Sequence, residues 1–326
     1  MGAQFSQFFP PRPTFTLSDV PSQQGKAIIV TGAASGIGQE LVRMLYQKGA
    51  TVYLAGRSET HAEAAIQSIQ ATTTTPDTTT TGQLHFLPLP LDDLTTIKST
   101  VVAFATRESR LDLFVKNAGV SQPPLGSVSA QGIELQIATN SLGPFLLTQL
   151  LLPFLNAAVT DFSPAPRVIW TSSQVAELSV APEGILLSEL RYPPRDAVRN
   201  YVTSKLGNWF LGVEFARRYE EAGLVSVAQN PGAANTNLLR NARWMKLLTW
   251  PLLHSPVLAA HTVLYAAFSE ELGRPEHNGG YVIPWGRIHP GVAPGLARHL
   301  LREDEGGTGR AREFWEWCGE RTRDYS

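Results

Sequence analysis

The sequence of 326 residues contains one cysteine, Cys318. No internal disulfide can form, and a reducing compartment fits. Excess charge is missing too. The chain has 27 basic and 28 acidic side chains and a formal net charge of −1. Nothing in that balance points to nucleic acid or an anionic surface as a partner. The seven histidines are scattered and form no HxxxH pair, so no metal site is expected. No apolar run reaches the roughly 18 residues that span a bilayer. The longest, "FLLTQLLLPFL", is broken by Pro153 and reads as a buried helix.

The N-terminal "MGAQFSQFFPPRP" lacks a basic start before an apolar core, so it does not read as a signal peptide. It fits the myristoylation pattern through Gly2 and Ser6. One acyl chain binds a membrane only marginally; Phe5, Phe8 and Phe9 would add contact, and only Arg12 supplies charge. The expected location is the cytoplasm, with membrane association if Gly2 is acylated.

Hydrophobic residues make up 43% and charged residues 17%, an ordinary globular balance. Short β-branched runs alternate with helical spacing. Strands are expected at 26–32, 50–56, 83–91, 111–119, 167–173, 224–232 and 279–285. This βαβ rhythm predicts a single α/β, doubly wound domain, with a mostly parallel seven-stranded sheet and helices on both faces. Its expected span is 25–290, with an N-terminal extension (1–24) and a C-terminal helical extension (291–326). Three segments break the rhythm: a threonine-rich loop at 71–82, an insertion at 176–200, and an apolar stretch at 235–256.

"VTGAASGIG" sets Gly32, Gly36 and Gly38 between the first strand and first helix. Glycines let a backbone approach a diphosphate, and a helix N-terminus offers free N–H groups and a positive dipole end. The spacing is TGxxxGxG, a variant of the Rossmann-type dinucleotide fingerprint. The second strand ends "YLAGR". An NAD site usually has an acid there for the ribose. Here Gly56 takes that position and Arg57 follows, which suits the 2′-phosphate of NADP(H).

"YVTSK" puts Tyr201 and Lys205 one helical turn apart, and no other of the six lysines has a tyrosine four residues earlier. Alone, such a pair is usually a surface pair. Beside a dinucleotide site it reads as a proton donor whose pKa the ammonium lowers.

Together these motifs resemble the short-chain dehydrogenases/reductases, and more narrowly the retinol-dehydrogenase-like members common in fungi. The resemblance covers roughly 25–290. It implies that Ser35 and Ile37 of the glycine loop meet the cofactor, and that Asp92 lies near the adenine. "KNAG" (116–119), with Lys116 in place of an asparagine, implies cofactor roles for Asn117 and Gly119. It makes Asn140 the catalytic asparagine, relaying a proton through water. Ser173 becomes the catalytic serine, with Ser172 the second choice. Tyr201 and Lys205 fill the YxxxK motif and also touch the cofactor, and "NPGAANT" brings Gly232 and Thr236 to its diphosphate.

The resemblance implies an NADP(H)-dependent enzyme interconverting a ketone or aldehyde and an alcohol. The apolar groups of 235–256, Trp244 and Trp250 among them, predict a lid over a mid-sized hydrophobic substrate, such as a polyketide or terpenoid. A packed helix or a membrane contact would use the same residues. A homodimer is allowed. Two other readings share the motifs: a dinucleotide-binding regulator without turnover, and the same fold catalysing dehydration or isomerisation.

Overall fold

The computed structural model describes residues 2–73, 82–160, 164–239 and 252–326. The chain starts with a short helix, α1 (Gly2–Phe8). Strand β1 (Ala27–Thr31) buries all five residues. Ile29 points into one core, while Ile28 and Val30 point into the other. A strand covered on both faces has no polar side to show, so its sequence is an unbroken apolar run.

The pattern continues through α2 (Gly36–Gln47), β2 (Thr51–Gly56), α3 (Glu59–Thr72), β3 (Gln83–Pro88), α4 (Ile97–Ala105) and β4 (Leu113–Lys116). After β4 comes a helical turn and then α5 (Gly143–Ala157). Next are β5 (Arg167–Thr171), two short helices α6 (Val175–Leu178) and α7 (Leu187–Arg191), the long α8 (Ala197–Tyr219), and β6 (Val225–Gln229). The chain closes with α9 (Pro256–Phe268), β7 (Tyr281–Ile283), β8 (Arg287–Ile288), α10 (Pro294–Leu300) and α11 (Arg310–Thr322).

The sheet order is β3-β2-β1-β4-β5-β6-β7-β8. Seven parallel strands were expected, and the described residues form eight. The extra strand, β8, pairs antiparallel with β7 through Val282–Ile288 and Ile283–Arg287. Two residues show no periodicity, so nothing in the sequence marks it. Helices α4, α5, α8 and α11 cover one face, and α2, α3 and α9 cover the other. The stretch Leu135–Ala157 is apolar and long enough to cross a bilayer, but about two-thirds of its apolar window is packed inside the fold. The C-terminal helix belongs to the main core: Phe314 and Cys318 share a cluster with Trp209 and Phe210, and Trp315 meets Phe145 edge-on at 4.9 Å.

One core residue is out of keeping. Lys116 ends β4 at 2% exposure. Its Nζ sits over the Trp170 ring and has no hydrogen-bond partner among the described residues. Burial holds its pKa well below lysine's usual value, and only Cys318 pulls the other way. The unfolded chain therefore binds this proton more readily than the folded one, so stability rises with pH until lysine's ordinary value near about 10.4. Lys116→Met keeps the side chain's length and removes the orphaned amine. It should raise stability by about 1–3 kcal/mol and flatten that rise. Urea unfolding at several pH values checks this; unchanged stability with an unchanged slope would sink it.

Candidate active site

Strand order reverses between β1 and β4, and a crevice opens there at the carboxyl ends of the strands. It holds a cavity of about 280 Å³. Gly32, Ser35, Gly36 and Ile37 line one side, and Arg57 and Asp92 line one end. Asn117 and Gly119 lie along the middle, and Ser173, Tyr201 and Lys205 stand at the far end with Gly232 and Thr236. The structure thus gathers most of the sequence's candidates around one space. Gly38 and Asn140 stand behind the lining. Trp244 and Trp250 lie outside the described residues.

The glycine loop is shaped for close approach. Gly32 has φ +64° and Gly36 φ +58°, where side chains are strained. A Cβ on Gly36 would come within 2.9 Å of Thr236 Cγ2 across the cleft. Asn117 fixes the loop by donating through Nδ2 to the carbonyls of Thr31 (3.0 Å) and Gly32 (3.2 Å). Gly38 is needed beneath it, since a Cβ there would fall 2.5 Å from Gly32 O and 2.7 Å from Asn117 Nδ2. These features fit a dinucleotide's diphosphate.

At the far end, α8 is locked to β5. Lys205 Nζ donates to Thr171 O at 3.2 Å, and Asn208 Nδ2 donates to the same carbonyl at 2.9 Å. Ser172 Oγ donates to Lys205 O at 2.8 Å, so its hydroxyl serves the framework. Ser173 has its place in the cavity lining with Tyr201. Both serines, which the sequence left as first and second choice, line the cavity, and Ser172 alone is bonded back to α8.

Asn140 lies in a π-helical turn, Ala138–Leu142, and is 1% exposed. Its Oδ1 accepts from Val120 N at 2.8 Å. Its Nδ2 donates to Val120 O (3.0 Å) and Ser204 Oγ (2.9 Å). The amide is thus used within the protein. It ties the loop after β4 to the residue preceding Lys205.

The electrostatics differ from the expectation that Lys205 lowers the pKa of Tyr201. Burial pushes the phenol up to about 12, against a lowering hydrogen bond from Ser173. Burial brings Lys205 down to about 8. The ammonium lies 5.7 Å from the Tyr201 ring centroid, and desolvation of both groups outweighs their attraction. At the other end, Arg57 Nη1 lies 3.4 Å from Asp92 Oδ2, with 59% of the Arg57 side chain exposed.

Sequence reasoning missed Thr171, Ser204 and Asn208, which hold the site together from behind. Each looks like an ordinary strand-end or helix residue, and only the packing of α8 on β5 reveals it.

The family described as short chain dehydrogenase matches residues 26–184. A short-chain dehydrogenase/reductase of Pestalotiopsis fici, iacJ, is 43% identical over 96% of this chain and 95% of its own length. One from Phomopsis amygdali is 41% identical over 98% and 96%. Among solved structures, an uncharacterised Mycobacterium paratuberculosis protein aligns with TM-score 0.67 and 29% identity, over 95% of this chain and 97% of that one. The Pseudomonas aeruginosa RhlG/NADP complex shares the fold, with TM-score 0.64 and 21% identity, over 82% and 98% of the two chains.

Gly36→Ala tests the cradle. Its methyl group would meet Thr236 and strain a left-handed residue, costing the fold about 1–2 kcal/mol. It should also weaken dinucleotide binding at least about tenfold, or 1.4 kcal/mol, as read by fluorescence titration with NADP⁺. Unchanged affinity would mean that no diphosphate comes this close.

Proposed function

Because the chain belongs to the short-chain dehydrogenase/reductase family, we propose that it interconverts a ketone or aldehyde and an alcohol with NADP(H), on a mid-sized hydrophobic molecule. The observation that carries this reading is the meeting of Ser173, Tyr201 and Lys205 at one end of a cavity that a glycine cradle lines along one side.

When bound, a nicotinamide dinucleotide supplies the hydride and, oxidised, a positive ring charge beside the phenol. The other roles fall to the chain's own residues. A carbonyl oxygen that gains negative charge needs a donor. Tyr201 serves as that donor. Its raised pKa keeps the phenol protonated until an alkoxide, a stronger base, takes the proton, so the free enzyme suits reduction. Ser173 hydrogen-bonds the same oxygen without titrating. Lys205 holds the ribose, and its Nζ lies beside Gly119, near Asn140 Oδ1. Cavity residues Val120, Ala234 and Leu238 support an apolar substrate. A secondary metabolite of the polyketide or terpenoid kind fits, by analogy with the family alone.

Tyr201→Phe should keep the fold and NADPH binding and lower turnover about 10²–10⁴-fold. NADPH absorbance with a panel of apolar ketones, α-tetralone and phenanthrenequinone among them, provides the measurement. Near-normal kcat would end the assignment.

The preference for NADP(H) rests on Arg57, which is near enough to Asp92 to be held at the adenosine end. Arg57→Ala should weaken NADPH by about 1.5–3 kcal/mol, the worth of a charge-assisted bond, with the exposed position favouring the lower figure. NADH affinity should hardly move. Equal losses for both cofactors would make Arg57 structural.

A further inference from the structure

Gln7, near the start of the chain, is 1% exposed. Both ends of its amide are used. Its Oε1 accepts from Asn230 Nδ2 at 2.8 Å, and its Nε2 donates to Glu177 Oε2 at 2.8 Å. The rest of α1 is held similarly. Gln174 Nε2 donates to Gln4 O at 3.2 Å, Arg287 Nη2 donates to Ser6 O at 2.8 Å, and His254 Nε2 lies 3.2 Å from Phe8 O. The helix therefore bridges segments far apart in sequence: the residues after β5, the end of β6, the approach to α9, and β8.

Three of these partners sit next to the cavity lining. Gln174 directly follows Ser173. Asn230 Oδ1 accepts from the N–H of Gly232 at 3.0 Å. The His254 backbone pairs with Ala233 and Asn235 on either side of Ala234. Ser173, Gly232 and Ala234 all line the cavity. Helix α1 thus stands on the β6–β8 side of the crevice, away from the cradle, and closes a ring behind the proposed catalytic serine.

The polarity of the chain of bonds is fixed. The Gly232 N–H can only donate, so Asn230 must turn its oxygen that way and its NH₂ toward Gln7. Gln7 then presents its own NH₂ to Glu177. The other carboxylate oxygen, Glu177 Oε1, lies 3.2 Å from His289 Nε2, with each side chain 3% exposed. Burial pushes the Glu177 carboxyl up, but the bonds from His289 and Gln7 outweigh it and leave it below the usual value. An ionised carboxylate is the acceptor this arrangement demands.

We infer that α1 is a built-in wall of the active site and that Gln7 is a positioning residue, clamping the segment that follows Ser173 to the turn that carries Gly232. Its effect on turnover rests on the ketone–alcohol reading above. The clamp itself does not.

A charge swap tests it. Gln7→Glu sets two carboxylates face to face. Glu177→Gln faces an amide with donors on both sides. In the double variant the carboxylate now at position 7 accepts from Asn230 and from the new amide at position 177, while that amide's oxygen accepts from His289, so every bond is remade. Each single change should lower kcat for phenanthrenequinone with NADPH about tenfold, and the swap should recover it to within about threefold, as coupled neighbours do. NADPH affinity should stay close to wild type in both singles, and the melting temperature that buried mispairing lowers in them should return in the swap. Singles that keep kcat, a swap that restores neither kcat nor melting temperature, or a parallel loss of NADPH affinity would each overturn the clamp. Gln7→Met, which keeps the shape and deletes both bonds, provides a second readout if the charged variants do not fold. Amides of residues 174–178 should exchange faster in it than in wild type, and equal exchange would refute the clamp. If the wild-type protein reduces none of the ketones, the functional reading fails, while the exchange comparison still reports on Gln7.

Discussion

The carbonyl of Thr171 is the point on which the site depends. It ends β5 and accepts from two side chains of α8, Lys205 Nζ and Asn208 Nδ2. Ser172, the next residue, donates back to the Lys205 carbonyl. These three bonds fix the helix's rotation and height against the strand. Tyr201, one turn before Lys205, lines the same cavity as Ser173. A carbonyl at the end of a parallel strand lacks its next ladder partner, so it is free to organise the residues that follow. The chemistry is thus a consequence of how one helix is tied to one strand end.

Two further restraints act on the cavity from opposite sides. On the cradle side, Asn117 holds the backbone turn at Thr31 and Gly32, and glycines leave space where a diphosphate fits. Behind Gly119, Asn140 spends its whole amide on Val120 and Ser204. Neither asparagine need move for a ligand to enter. Polar groups buried this deeply are costly unless paired, and here pairing and positioning coincide. The C-terminal helix presses on α8 from outside, with Phe314 and Trp315 in the same core as Trp209. An element distant in sequence therefore steadies the helix that carries the tyrosine.

Much of this was legible in the sequence. Buried parallel strands write themselves as β-branched runs, and the glycine spacing and YxxxK motif are local patterns, so seven strands and most of the cavity lining could be read directly. What escaped reading was tertiary. Strand β8 is two residues long and exists only because β7 offers an edge. That the Ser172 hydroxyl is engaged by the Lys205 carbonyl is likewise visible only once α8 packs on β5. Gln7 lies in a segment whose phenylalanines and Gly2 drew attention to membranes, yet its buried amide faces inward. The net pKa of the tyrosine was expected to fall, and burial raises it instead, because spacing gives proximity but says nothing about desolvation.

That last point bears on how buried lysines are interpreted. Lys116 and Lys205 stand on neighbouring parts of one fold, and burial lowers both pKa values. If depressed pKa alone marked function, the two would rank together. Their surroundings separate them. Lys116 is walled in by Trp170 and Cys318 and finds no hydrogen-bond acceptor among the described residues. Lys205 shares an acceptor with Asn208, opens onto the cavity and stands beside Tyr201. The first lysine carries a cost of burial with nothing to receive its proton. The second lines the cavity of the proposed site, where burial brings its pKa down to about 8, which is why the proposed reading gives it a part. Access and partners, rather than the size of the shift, are what make Lys205 and not Lys116 a candidate site residue.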